Sequence, residues 1–541
     1  MLQPIRLISD GCIFQRNKEI RICGAADCEQ VRAKLSDGKS VLEEAQADVK
    51  EGRFTLLFSK RRAGGPYSLK ICGGADTVTV SDVYIGDVIQ LVGQSNIEFP
   101  MSRVSETYPE EFEAPDEPLI RSFKIVERRE FHTPLSDMET GAWLPVKADT
   151  LPDFSAVGYF MAKKLLAETG VAVGLIDTTL GGSAIESWMS REMLEAFPEQ
   201  LGVVEPYLDE AYLAGVLAKN EENTNAWHTW VDAHDAGLLE KWYQEEQGKD
   251  ADWEEITLPC IFQRHPKLKG FTGSIWFRRS FQIEADRAGE KALLWFGTMT
   301  DGDEIFINGV SVGKTEYCYP PRRYEIPAGL LKEGENVITI RLLVEKGCGR
   351  VTDGKVYGIL YGNGKRSTDG FTESAEGYDI VGLSGKWTYR IGTVSEKIEP
   401  VDFVSWKPTA LYNGMLHPCT QFSIGGIFFY QGESNLLATD IYEKEFRTLV
   451  DGYRKLWRDD DLPFVYVLLP QFDLVTYEPD GTDESNTHWE DMQACQRACS
   501  DIPFAYLAEA AETGEINDLH PQRKKEIGEL AAGYLEKHLT N

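Results

Sequence analysis

No stretch of this chain approaches the ~18 consecutive apolar residues that a membrane-spanning helix needs. The first residues, Met1-Leu2-Gln3-Pro4-Ile5-Arg6, run into polar sequence without the apolar core of a secretory signal, so a cytoplasmic protein is expected. The ten cysteines are scattered, with no close-set framework of the kind that staples small secreted domains. All are expected to be reduced. Cys495 and Cys499 stand one helical turn apart, but no nearby Cys-x-x-Cys or histidine pair completes a metal site. No His/Asp/Cys cluster has ligand spacing, so neither a metal nor another cofactor is expected. Positive charge is also in short supply: 56 basic residues face 87 acidic ones, a formal net charge of −31. Such a surface repels phosphate backbones and anionic lipids, which disfavours nucleic acid and membrane surfaces as partners.

What is present is ordinary globular composition in a chain of 541 residues, too long for one core. Residues 1–80 read as short strands punctuated by Asp37-Gly38, Glu51-Gly52 and Gly64-Gly65-Pro66, an N-terminal β-sandwich. From 81 to 235 the pattern becomes apolar strand, helix and Gly-rich turn, which is α/β grammar. Residues 236–402 return to strands, with a hairpin expected at Asn308-Gly309, and predict an inserted β-sandwich or jelly roll. The α/β pattern resumes over 403–541 and ends in a helix expected from about 522 to 537, with Pro521 at its start. The fold class is therefore α/β: one parallel-sheet domain interrupted by an inserted β-domain.

Three apolar strands end in polar turns. Ile89-Gln90-Leu91-Val92-Gly93 opens onto Gln94-Ser95-Asn96-Ile97-Glu98; a second strand ends at Leu180-Gly181-Gly182-Ser183; a third ends at Gln431-Gly432-Glu433-Ser434-Asn435. In an open parallel sheet the C-terminal ends of strands share one edge, so turns distant in sequence meet there. Serine is a weak nucleophile that needs a base, and the base needs an orienting partner. Asp518-Leu519-His520-Pro521 supplies an acid and an imidazole two positions apart, whose side chains share a face in an extended segment. His234 has acids nearby but lies in a polar stretch at a domain junction, and His417 has none close by.

In order, these blocks resemble those of the SGNH-type sialate O-acetylesterases, with further matches at Ala63-Gly64-Gly65-Pro66-Tyr67 and from Pro408 to Pro418. The resemblance spans nearly the whole chain, and the insert resembles sugar-binding β-sandwiches found beside glycosidases. It implies an SGNH-hydrolase, flavodoxin-like sheet and hydrolysis of an O-acetyl ester on a sugar, sialic acid being the family's named substrate. Ser95 would be the nucleophile, His520 the base and Asp518 its orienting acid. The oxyanion would be held by the Ser95 N–H and an N–H of Gly181 or Gly182, with Gly182 preferred. The superfamily's asparagine slot holds Ser434 here, so a third donor is sought in Gln431, ahead of Asn435. Asn96, Glu98 and Glu433 are candidates for substrate binding, Arg103 and Arg191 for gripping a carboxylate, and Trp188 for the core. Acetylated xylan as substrate, a non-catalytic sugar-binding protein and a metal-dependent hydrolase are the competing readings.

Overall fold

The computed structural model describes residues 1–244, 252–473 and 485–540. At its centre is the strand Asp76–Gly93, whose 18 residues run through the expected boundary at residue 80. Its first half pairs antiparallel with Gly64–Gly73 of the N-terminal β-region, where a separate three-stranded sheet also forms. Its second half is buried at every position from Ile85 to Gly93 and lies inside a parallel sheet. Continuous apolar sequence suits a strand covered on both faces.

The hydrolase-like sheet has the spatial order Leu144–Val146, Glu117–Lys124, Val173–Thr179, Asp76–Gly93, Gly426–Tyr430, Phe464–Val467, Ala505–Ala508. All neighbours are parallel except the short first strand. Helices Ala156–Thr169 and Lys524–Leu539 pack against one another, and Thr439–Trp457 packs against Ser485–Ala498. Ser155 caps the first of these by accepting from the Gly158 N–H, and Gly170 ends it in the left-handed conformation. The last helix begins at Lys524 rather than at 522, which leaves Pro521 in the preceding loop rather than at the helix start.

Residues 254–394 include antiparallel sheets of six and four strands that share a core of Ile275, Phe277, Leu294, Phe296, Ile338, Ile340 and Ile359, with smaller sheets of three and two strands beside them. The hairpin turns at Asn308-Gly309 as its sequence requires. The 25-residue helix Glu210–His234 leads into this sandwich. Its junction is pinned by buried Asp235, which accepts from Trp276 Nε1 at 2.8 Å and Arg341 Nε at 2.7 Å. His234 stacks on Trp230 at that junction. No helix among the described residues is long and apolar enough to cross a membrane.

Candidate active site

Register decides where the site forms. Gly93 stands opposite Thr179 on one side and Tyr430 on the other, so three parallel strands end level. Their turns consequently share one edge. Gly93 has φ +139°, and a Cβ there would lie 2.1 Å from the Tyr430 carbonyl oxygen, so only glycine lets the neighbouring strand approach. Gln94 then ties two turns together, its Oε1 accepting from the Gly432 and Ser434 N–H groups.

Ser95 is the first residue of the short helix Ser95–Glu98, half-buried on the sheet edge. His520 arrives from the loop before the last helix and places Nε2 2.8 Å from Ser95 Oγ. Its ring lies between Phe99, stacked at 6.0 Å, and Tyr319 of the inserted sandwich, edge-on at 4.6 Å. Burial among these rings penalises the imidazolium and pushes the His520 pKa down to about 3, against the pull of Asp518 and with Lys524 and Arg103 adding to the fall. A neutral imidazole within hydrogen-bond reach of a hydroxyl is a competent general base.

Asp518 lies beside this histidine but not on its ring. Oδ1 accepts the backbone N–H of His520 at 2.9 Å, and Oδ2 meets Lys355 Nζ of the insert at 3.0 Å. His520 Nδ1 is buried and has no hydrogen-bond partner among the described residues. The carboxylate therefore acts on the imidazole through space and through its backbone, not through the ring hydrogen bond the sequence led us to expect.

The oxyanion candidates divide. Gly181 donates its N–H to Glu98 Oε2 at 2.6 Å, whereas the Gly182 N–H enters no hydrogen bond among the described residues. The Ser95 N–H, first in its helix, has no intrahelical acceptor. Gln431 is otherwise engaged: its Nε2 donates to Asn435 Oδ1 at 2.6 Å and Ser183 O at 3.3 Å, and its Oε1 accepts from Tyr442 at 2.9 Å. Asn435 donates to Glu186 and accepts from the Ile185 N–H. Both amides thus hold the turn together: both side-chain N–H groups of Gln431 are spent, whereas Asn435 donates only one of its two among the described residues. Ser434 donates to Gly182 O.

The three substrate-binding candidates are also committed. Asn96 is fully buried, donating to Glu433 Oε1 at 2.6 Å and Leu519 O at 3.0 Å while accepting from Lys524 Nζ. Burial raises the Glu433 pKa and lowers that of Lys524 to about 7. Glu98 faces the Gly181 N–H and, at 3.7 Å, Lys124. Asn96 and Glu433 thus fix the Ser95 turn to the histidine loop. Arg103 stands nearer the mouth, over Phe99 and donating to Tyr319 O. Arg191 pairs with Glu205 in an exposed position. Trp188 is core, fully buried and hydrogen-bonded to Ser183 Oγ. Lys355, Tyr319 and Lys524 went unnoticed in the sequence, since no spacing rule relates them to Ser95. Among the described residues no three His, Cys, Asp or Glu side chains gather as a metal site.

With that geometry in place, the relatives can be compared. Residues 391–536, which carry the Gln431 turn, Asp518 and His520, match the family described as carbohydrate esterase, sialic acid-specific acetylesterase. Over those residues the chain is similar to this family. The human sialate O-acetylesterase is 25% identical over 177 residues, 29% of this chain and 34% of that protein. A β-glucuronidase from Formosa agariphila is 26% identical over 110 residues, 18% of this chain and 11% of that enzyme. The matches thus span about a third or less of these curated relatives. The crystal structure of a carbohydrate acetylesterase from Xanthomonas citri superposes with a TM-score of 0.54 at 18% identity, covering 97% of this chain and 72% of that one. That likeness shows the fold, α/β with mixed sheets, along nearly the whole length of this chain.

Proposed function

We propose that this protein is a serine esterase that removes O-acetyl groups from carbohydrates, with O-acetylated sialic acid as the substrate. The observation that carries the reading is the 2.8 Å approach of His520 Nε2 to Ser95 Oγ, at a strand-end edge, in a chain whose residues 391–536 match an acetylesterase family.

In this reading Ser95 Oγ attacks the acetyl carbonyl carbon while Nε2 of His520 takes the hydroxyl proton. The tetrahedral oxyanion is received by the Ser95 and Gly182 N–H groups, each such donor typically lowering the barrier by ~3–4 kcal/mol. The sugar oxygen leaves with the proton held by His520, and an acetyl-serine remains. Water then gives its proton to His520 and attacks the acetyl group; acetate departs and Ser95 regains its proton. Asp518, close by, favours the imidazolium formed twice in this cycle. Acetate release from O-acetylated sialic acids and acetylated xylo-oligosaccharides, with Ser95→Ala as control, tests both chemistry and sugar. Release from the sialic acids, lost in the variant, supports the reading; no release from any acetylated sugar overturns it.

A further inference from the structure

The inserted sandwich reaches into this centre with a buried cation. Lys355, in the loop between strands Arg350–Val351 and Tyr357–Tyr361, is 3.0 Å from Asp518 Oδ2, 3.1 Å from Glu515 Oε2 and 3.9 Å from Glu373. Arg366, also of the insert, pairs with Glu515 and Glu373, and Arg323 spans Glu373 and Glu106. Three carboxylates, Asp518, Glu515 and Glu373, therefore share two fully enclosed cations, and Asp518 is the least buried of the three, at 15% exposure against 1% and 3%. With Oδ1 on the His520 backbone and Oδ2 on Lys355, the Asp518 carboxylate is fixed at both ends.

We propose that Lys355 is a positioning residue for the esterase centre, holding Asp518 in place beside His520. This rests on the reading of Ser95 and His520 given above. Without Lys355, Oδ2 loses its donor at 3.0 Å and the carboxylate is free to swing away from the histidine loop. The other charged groups facing Asp518 are Arg366 of the insert, Arg103 beside Phe99, Lys524 on the last helix, and Glu515 and His520 of its own loop.

The test is the steady-state kinetics of 4-nitrophenyl acetate hydrolysis by the full chain. Lys355→Met is expected to lower kcat about tenfold or more at neutral pH with KM within about twofold. Lys355→Arg, which keeps a cation for Oδ2, should keep most of the activity. No loss, a loss carried by KM, or a Lys355→Arg variant as impaired as Lys355→Met overturns the proposal. Lys355→Met/Asp518→Asn removes a matched pair of charges and so tests the coupling even if the single variant misfolds. It should match Asp518→Asn alone, and a much slower double variant overturns the proposal. Ser95→Ala separates the two levels, because activity surviving in that variant refutes the site itself, whatever Lys355 does.

Discussion

His520 Nε2 and Ser95 Oγ meet at 2.8 Å although 425 positions, including an entire β-domain, separate the two residues in sequence. If that contact is the proton-transfer path, Ser95→Ala and His520→Ala should each reduce acetate release from 4-nitrophenyl acetate by about 10⁴-fold or more. Thermal unfolding should move by only a few degrees, since Ser95 is half-buried and its hydroxyl satisfies no other described group. Turnover near the wild-type rate by either folded variant excludes the assignment.

The pH dependence follows from how His520 is enclosed. Burial between Phe99 and Tyr319 holds its pKa down to about 3. The base form is then already present throughout the neutral and mildly acidic range, so kcat/KM for a neutral ester should stay flat down to about pH 5. Stability carries the opposite sign. Between the folded value near 3 and the unfolded value of 6.5, only the unfolded chain holds the proton, so stability rises with pH across that window and is lost on acidification. Urea titrations of wild type and His520→Gln between pH 4 and 7 check this: the wild type should show the steeper loss. An acid limb in kcat/KM near pH 6.5 would contradict the enclosed, neutral base.

Asn96 lies at the centre of a network that joins the Ser95 turn, Glu433, Leu519 O and Lys524. Asn96→Leu keeps the volume but strands a buried carboxyl and a buried amine, which should cost about 3 kcal/mol, read as a fall in the urea midpoint. Combining Asn96→Leu with Lys524→Met and Glu433→Gln should recover part of that loss, because the stranded charges are then gone. An unchanged midpoint in the single variant would remove the network from the account.

Much of this arrangement was legible in the sequence, for definite physical reasons. An apolar run ending in Gly93 marks a doubly covered strand, and three such runs in an α/β pattern imply a shared edge. The serine and the histidine could therefore be paired before any coordinates. The second contacts were not legible. Asn96, Glu98, Glu433 and Gln431 look like ligand-facing polar residues in a linear sequence, but each satisfies a buried neighbour. Lys355 and Tyr319 come from the insert, and their approach to the His520 loop depends on how two domains pack, which has no sequence period. The boundary at 80 failed to register as continuous because one strand changes partners midway, from antiparallel to parallel, without a break in its backbone.

Gly182 adopts φ +75°, and a Cβ there would lie 2.0 Å from Trp406 Cζ2. Gly182→Ala combines backbone strain with a clash against a ring that is stacked on Phe403. It should destabilise by about 2 kcal/mol and cut kcat/KM by about tenfold or more as its N–H is displaced. Adding Trp406→Ala relieves the clash but not the φ, so stability should return only in part. Calorimetry of the two variants distinguishes these contributions, and full recovery in the double variant would show that strain plays no role.

Gln431 separates a structural amide from an oxyanion donor. Its N–H groups are spent on Asn435 and Ser183, and its carbonyl on Tyr442. Gln431→Met preserves much of the volume but leaves three buried groups without their partner, so unfolding should become easier by about 2–3 kcal/mol. Removing a true oxyanion donor instead costs about 10²–10³ in kcat with little effect on stability. The structure therefore predicts a large shift in the denaturation midpoint and a change in kcat below about tenfold for the folded fraction. Measuring both on the same preparation decides the matter: a stable Gln431→Met enzyme with kcat reduced a hundredfold would mean that the amide turns toward Ser95 when substrate is bound.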